Sequence, residues 1–214
     1  MASPEPRANV IPYPEALHHQ YAAVMFVDLD HFMRICIDDP PQAVFSLLSD
    51  FQSVVTETVA NFRGDLNSYQ GDGVLATFED VAERGDCATR TLRCARRILH
   101  EIRTLGLGCG NDSTPSVSVS IGLQYGEVWT SMISTSRRFG PTLIGDAVNV
   151  AARLEKHAGA LGAKIVAGDD LIQRAWQEGA SNVSELAHFL KVGPVTVRGR
   201  RTPVDVWKLQ MQAG

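Results

Sequence analysis

The sequence predicts an α+β fold, a sandwich of helices on a largely antiparallel sheet. Three patterns carry that reading. Ala22–Asp28 (AAVMFVD) is a short apolar run that ends in a carboxylate, the mark of a buried central strand. Gln42–Phe62 and Cys87–Leu105 repeat apolar residues at steps of three and four, as amphipathic helices do. Between them, two short β runs flank Gly71-Asp72-Gly73, a tight-hairpin signal.

The elements follow in chain order. Met1 to His19 holds four prolines and mixed charge and reads as a flexible arm, with one domain over residues 20–214. In the first long helix Val44, Leu48, Phe51, Val55, Val59 and Phe62 form the buried face, and Gly64 is expected to close it in the left-handed conformation. The hairpin strands are Leu66–Gln70 and Val74–Phe78, with Asp72 displayed at the tip. The second long helix buries Leu92, Ala95, Leu99 and Ile102. Val117–Tyr125 alternates as a strand, and Asp146–His157 is a helix opening after Gly145. Lys164–Ala167, Val195–Val197 and Val204–Leu209 supply the remaining strands.

Bulk properties narrow the function classes. The 214 residues are 44% hydrophobic and 21% charged, ordinary for one globular domain. A net charge of −4 gives no general reason to bind nucleic acid or an anionic membrane. No apolar run approaches the roughly 20 residues of a membrane helix, and the N-terminus lacks a signal peptide's apolar middle. The four cysteines (Cys36, Cys87, Cys94, Cys109) match neither a zinc site nor a disulfide framework, so a cytoplasmic protein with reduced thiols is expected.

The chemistry is expected from two carboxylates. Asp28 ends a buried strand and Asp72 sits on a hairpin tip. An unpaired buried charge is costly, so a carboxylate leaving such a strand needs a partner. Two carboxylates converging from neighbouring strands suit Mg²⁺ or Mn²⁺, with substrate phosphates completing the shell. Taken alone, Asp72 is equally a turn former. The chain is expected to turn after Leu29, which makes Asp30 the cap of the next helix.

Three segments, Val24–Phe32 (VMFVDLDHF), Tyr69–Phe78 (YQGDGVLATF) and Leu143–Glu155 (LIGDAVNVAARLE), resemble class III adenylyl and guanylyl cyclases. The resemblance covers about Tyr21 to Leu209. It implies the palm-like, ferredoxin-like cyclase fold and two Mn²⁺ or Mg²⁺ ions per site, held by Asp28, the Leu29 carbonyl and Asp72. It assigns the ribose to Asn149 and the reacting phosphate to Arg153. Positions i and i+4 share a helix face, so both can reach one ligand, and a guanidinium fork suits a phosphoryl transition state. Taken alone, Arg153 reads as a solvated arginine. Arg198, in VRGRR, resembles the basic residue that holds the triphosphate, and Arg200 and Arg201 stand beside it. The resemblance also implies a head-to-tail homodimer with sites at the interface.

One of the two base-reading positions departs from the purine pattern. Ser68 stands where lysine or glutamate is usual, whereas Thr142, at the second position, also suits adenylyl cyclases. Phe26 resembles the aromatic that lines the base pocket, Tyr69 and Gln70 are further candidates for base contacts, and Tyr69 equally fits the core. A short serine cannot replace a lysine that reaches the base edge. This pattern resembles the stand-alone pyrimidine cyclases of the Pycsar anti-phage system, which implies UTP as substrate, cyclic UMP as product and a separate cyclic-nucleotide-activated effector. The alternatives are a cytidylate cyclase making cyclic CMP, an ordinary adenylate cyclase, and a catalytically inactive cyclase-like dimerisation domain. FVDLDHFMRI also resembles the opening of GGDEF domains, but that signature is absent.

Overall fold

A computed structural model describes residues 17–81, 85–104, 117–135, 138–179 and 186–210, with the backbone alone at 132–135 and 138–141. Its elements are β1 (His18–Leu29), α1 (Phe32–Asp38), α2 (Pro41–Asn61), β2 (Asp65–Gln70), β3 (Gly73–Glu79) and α3 (Cys87–Thr104). They continue with β4 (Val119–Thr135), β5 (Arg138–Ile144), α4 (Asp146–His157), β6 (Ile165–Gly168), α5 (Asp169–Gln177), β7 (Phe189–Val195) and β8 (Val204–Leu209).

The described strands form one sheet in the order β2-β3-β1-β4-β6-β8-β7, with β5 hydrogen-bonded to the far half of β4. All pairings are antiparallel except β4 with β6. β1 lies between β3 and β4, the central place that its apolar run predicts. Its side chains alternate between two cores. Ala23, Met25, Val27 and Leu29 pack with α2, α3 and α5, whereas Ala22, Val24 and Phe26 pack with α4. Both faces of the central strands are therefore covered. Gly122 of β4 sets how closely α4 approaches. A Cβ there would lie 2.0 Å from the Ala151 carbonyl oxygen and 2.3 Å from the Glu155 nitrogen, so only glycine admits the helix.

Buried side chains stitch the other layer. Arg90 of α3, only 8% exposed, donates to the Phe62 and Arg63 carbonyls at the end of α2 and to the Glu79 carbonyl of β3. Glu178, just past α5, accepts from the Ala88 and Thr89 amides at 3.0 and 2.8 Å. A carboxylate from one helix thus satisfies the free N–H groups that open another.

The structure corrects several boundaries. His18 and His19, read as part of the arm, are the first residues of β1; residues 1–16 lie outside the described residues. β4 runs ten residues past Tyr125, because Gly126 and exposed Glu127 interrupt the apolar alternation that marks its first half. The last strand pair is β7 with β8; Val197 is a buried loop residue, not a strand residue. At the end of α2, Arg63 and not Gly64 takes the left-handed conformation (φ 56°). Gly64 is needed for space, since a Cβ there would meet the Phe78 ring at 2.6 Å. Leu105 and Cys109 lie outside the described residues. Among the described residues no helix is long and apolar enough to cross a membrane.

Candidate active site

Asp28 is the penultimate residue of β1. It stands opposite Gly73 of β3 on one side and Ser120 of β4 on the other. Alternation places it on the α4 face of the sheet, two positions beyond Phe26. The neighbouring Gly73 is tightly bounded: a Cβ there would lie 3.1 Å from the Phe26 ring and 3.2 Å from Asp28 Oδ1.

Asp72 reaches the same place from the hairpin tip. Gln70 pairs with Gly73, leaving Gly71-Asp72 as a two-residue loop, and Gly71 has φ 69°. A positive φ at the first loop position alone is the pattern of a type II′ turn, which suits the twist of the flanking strands.

The Asp28 carboxyl feels the charge of Asp72. Burial pushes the Asp28 carboxyl up to about 6, and the charges of Asp72 and Asp30 add to the effect. Lys156 and a backbone hydrogen bond at Leu29 oppose it without cancelling it. Asp28 is thus a half-buried anion short of positive charge. Such a group attracts a cation, and its donor set is all oxygen, as Mg²⁺ and Mn²⁺ require. Among the described residues no three His, Cys, Asp or Glu side chains surround one point.

Asp30 differs, and the structure corrects its role. α1 is preceded by His31 in the left-handed conformation (φ 60°), with no side-chain cap. The chain keeps its strand course one residue longer, with the Asp30 amide bonded to the Ser118 carbonyl at 2.9 Å. The Asp30 carboxylate therefore joins a buried polar set. Ser120 Oγ donates to Oδ1 at 2.6 Å, while Ser118 Oγ and Lys164 Nζ both donate to Oδ2. Burial alone would raise its pKa, but the hydrogen bonds from Lys164, Ser118 and Ser120 and the lysine charge hold it below the ordinary carboxylate value.

Glu155 completes the acidic neighbourhood. It sits on α4 over Gly122, is 6% exposed, and its Oε2 has no hydrogen-bond partner among the described residues. Burial and then the Asp28 charge push it up to about 7. Glu155, Lys164, Ser118 and Ser120 are not among the sequence-derived candidates. The serines carried a signal, since Ser118 and Ser120 alternate with apolar Val117, Val119 and Ile121, whereas Glu155 and Lys164 carried none.

Asn149 and Arg153 lie on another side of α4. Asn149 is exposed and its Nδ2 donates to the Gly145 carbonyl at 3.3 Å. Arg153 lies along the turn after β7, where a Cβ on Gly199 would be 3.3 Å from its Nη1. In that turn Arg198 is exposed and Arg200 pairs with Asp146 at 3.3 Å. Arg153 and the Arg198–Gly199 turn thus lie together, with Asn149 one helical turn before Arg153 on α4. Among the described residues no hydrogen bond or ion pair joins them to Asp28 or Asp72.

The base-reading candidates divide by face. Ser68 of β2 pairs with Leu75, which packs with Phe26 on the α4 side, and Gln70 Nε2 donates to Ser68 Oγ at 3.4 Å. Thr142 is half-buried on β5, a strand that touches β2. Phe26 is 8% exposed and belongs to the core as much as to any pocket wall. Tyr69 points the other way: it pairs with Val74, on the α2–α3 side, and its hydroxyl shares a 2.7 Å hydrogen bond with Thr56 of α2. The structure therefore does not bring Tyr69 to the Asp28 side.

Comparisons with known proteins bear on this arrangement. The family model described as the adenylate and guanylate cyclase catalytic domain matches residues 15–210. An uncharacterized protein of Mycobacterium tuberculosis is 30% identical over 202 residues, covering 91% of this chain and 32% of its own length. Adenylate cyclase 1 of Rhizobium meliloti is 23% identical over 194 residues, covering 91% and 28%. The chain thus spans about a third of the curated relatives it matches. The solved adenylyl cyclase CyaB of P. aeruginosa superposes with a TM-score of 0.75 at 18% identity, covering 93% of this chain and 98% of that one. The guanylate cyclase domain of RhGC from Catenaria anguillulae, solved with GTP, gives 0.72 at 18%, covering 92% and 100%. These neighbours share the fold, and the match over nearly the whole described chain places it in the adenylate and guanylate cyclase catalytic domain family.

Proposed function

We propose that this chain converts a nucleoside triphosphate into its 3′,5′-cyclic monophosphate and pyrophosphate, with UTP as the first substrate to test. The observation that carries the reading is Asp28: a half-buried carboxylate, beside Asp72, with too little positive charge around it.

Asp28, Asp72 and the Leu29 carbonyl would hold the divalent ions. When bound, such a pair supplies a Lewis acid that activates the attacking oxygen and stabilises the leaving one. The ribose 3′-oxygen then bonds to the α-phosphorus, its proton leaves, and the bond to pyrophosphate breaks. Asn149 holds the ribose. Arg153 neutralises charge developing at the phosphorus, and Arg198 holds the departing phosphates. Because no hydrogen bond or ion pair among the described residues joins Asn149 or Arg153 to the two aspartates, we infer that two copies arranged head to tail would each complete the other's site. Tyr69, whose hydroxyl bonds Thr56 on the opposite face of the sheet, has no part in this reading.

Ser68 presents a short, uncharged hydroxyl where a purine is read by lysine or glutamate, which favours a pyrimidine, while Thr142 is compatible with either. The names of the relatives favour a second reading, ATP, since those in Rhizobium meliloti and Anabaena cylindrica are adenylate cyclases. A second-messenger role in anti-phage defence, through a separate effector, rests on the resemblance to pyrimidine cyclases alone.

The test is a product screen. Purified protein with Mn²⁺ is given ATP, GTP, CTP and UTP in separate reactions, and products are read by mass spectrometry. Cyclic UMP supports the full reading. Cyclic AMP alone replaces UTP with ATP and removes the defence role, and no cyclic product from any nucleotide overturns the cyclase reading.

A further inference from the structure

The polar set behind Asp28 has a job that the reaction itself does not assign. Asp28 and Asp30 lie two residues apart on the same side of the chain, and a bare carboxylate at both positions would offer a cation two competing anions. Among the described residues a lysine forms an ion pair with only one of them, Asp30. Lys164 immediately precedes β6, and its backbone carbonyl accepts from the Ile121 amide at 2.8 Å, which fixes it beside β4. Its Nζ sits 2.5 Å from Asp30 Oδ2 and 2.9 Å from Ser118 Oγ. Ser118 holds the same Asp30 oxygen and Ser120 the other. Both oxygens of Asp30 are thus occupied, and its side chain is only 15% exposed. Among the described residues Asp28 has no such hydrogen-bonded partner, and the Lys156 charge that acts on it does not cancel the effect of burial.

We propose that Lys164 is a positioning residue: its ammonium cancels and immobilises Asp30, so that a divalent cation meets Asp28 and Asp72 and not a third carboxylate. The proposal rests on the reading that Asp28 and Asp72 hold the cation. Lys164 touches no substrate. It sets the net charge of the site and the number of carboxylates free to turn toward the ion.

The account predicts shifts of opposite sign. Lys164→Met leaves the Asp30 charge uncancelled and tightens cation binding about fivefold. Asp30→Asn leaves the lysine charge uncancelled and weakens it by about the same factor. The double variant Asp30→Asn/Lys164→Met is neutral on both sides and returns to within about twofold of wild type. Lys164→Arg keeps the charge and the wild-type affinity.

The experiment titrates Mn²⁺ into the nucleotide-free protein and follows free Mn²⁺ by electron paramagnetic resonance, with Asp28→Asn as the reference. Opposite shifts in the two single variants and recovery in the double confirm the proposal. Loss of binding in Asp28→Asn, with both single variants within about twofold of wild type, overturns the role of Lys164 and leaves the cation site standing. Unchanged binding in Asp28→Asn overturns the cation site and the proposal with it. If Lys164→Met fails to fold, the Asp30→Asn and Lys164→Arg titrations decide the matter by the same signs.

Discussion

Gly73 lies directly across the β1–β3 ladder from Asp28, and a Cβ on it would come within 3.2 Å of Asp28 Oδ1 and 3.1 Å of the Phe26 ring. The absent side chain of one residue therefore leaves room for the carboxylate of the other. Gly73→Ala needs no unusual backbone angle, so its effect is crowding and not strain. It is expected to lower the turnover of cyclic nucleotide by about tenfold while the melting temperature moves by only a few degrees. Steady-state kinetics beside a thermal melt checks this, and an unchanged kcat would contradict it.

The metal-free protein should lose stability as pH rises through neutrality. Burial holds the Glu155 carboxyl near 7 in the fold, above the ordinary 4.5, so the folded state favours the protonated form. That contribution is fully present below about 4.5 and is lost as pH climbs through about 7. Its upper bound is ~3 kcal/mol. Urea unfolding in EDTA across this range should show the decline, and Glu155→Gln should flatten it. Parallel curves for the two proteins would mean that Glu155 is not the group responsible.

Two dead variants should rescue one another. In the proposed head-to-tail dimer, Asp72→Ala and Arg153→Ala remove residues from opposite halves of each site. Each alone should be inactive, yet an equal mixture should recover about a quarter of wild-type activity, because half the dimers are mixed and each holds one intact site. Activity of the mixture after denaturation and joint refolding is the readout. No recovery would place all the residues of one site on one chain.

Glu178 stabilises the fold from outside the site. Its two oxygens accept the Ala88 and Thr89 amides at the start of α3, and the side chain is 1% exposed. Glu178→Ala should cost ~1–3 kcal/mol. Denaturant unfolding measures this, and a change below ~0.5 kcal/mol would show that water replaces the cap.

The sequence carried much of this architecture because apolar periodicity reports burial. α3 buries the predicted Leu92, Ala95, Leu99 and Ile102, and β1 is the central strand that its unbroken apolar run implied. Asp28 and Asp72 were legible for a related reason: a charge ending a buried strand and an Asp-Gly hairpin are local signals. The remainder depends on what chain-distant segments bring. Lys164 is 134 positions from Asp30, and nothing near either residue announces the pair. The second half of β4 owes its length to pairing with β5 and not to its own alternation. Tyr69 stood open between base contact and core packing because a hairpin strand alternates faces, and only the pairing of Ser68 with Leu75 shows which face is which.

The central claim is that Asp28 and Asp72 together hold the ions on which turnover depends. The most direct measurement is the rate of cyclic nucleotide formation by Asp72→Ala with saturating Mn²⁺, beside its circular dichroism and thermal melt. Asp72 sits in a hairpin loop outside the core, so the fold should persist with a melting temperature within a few degrees of wild type, while the rate falls at least ~100-fold. An intact fold with a near-wild-type rate would contradict the account.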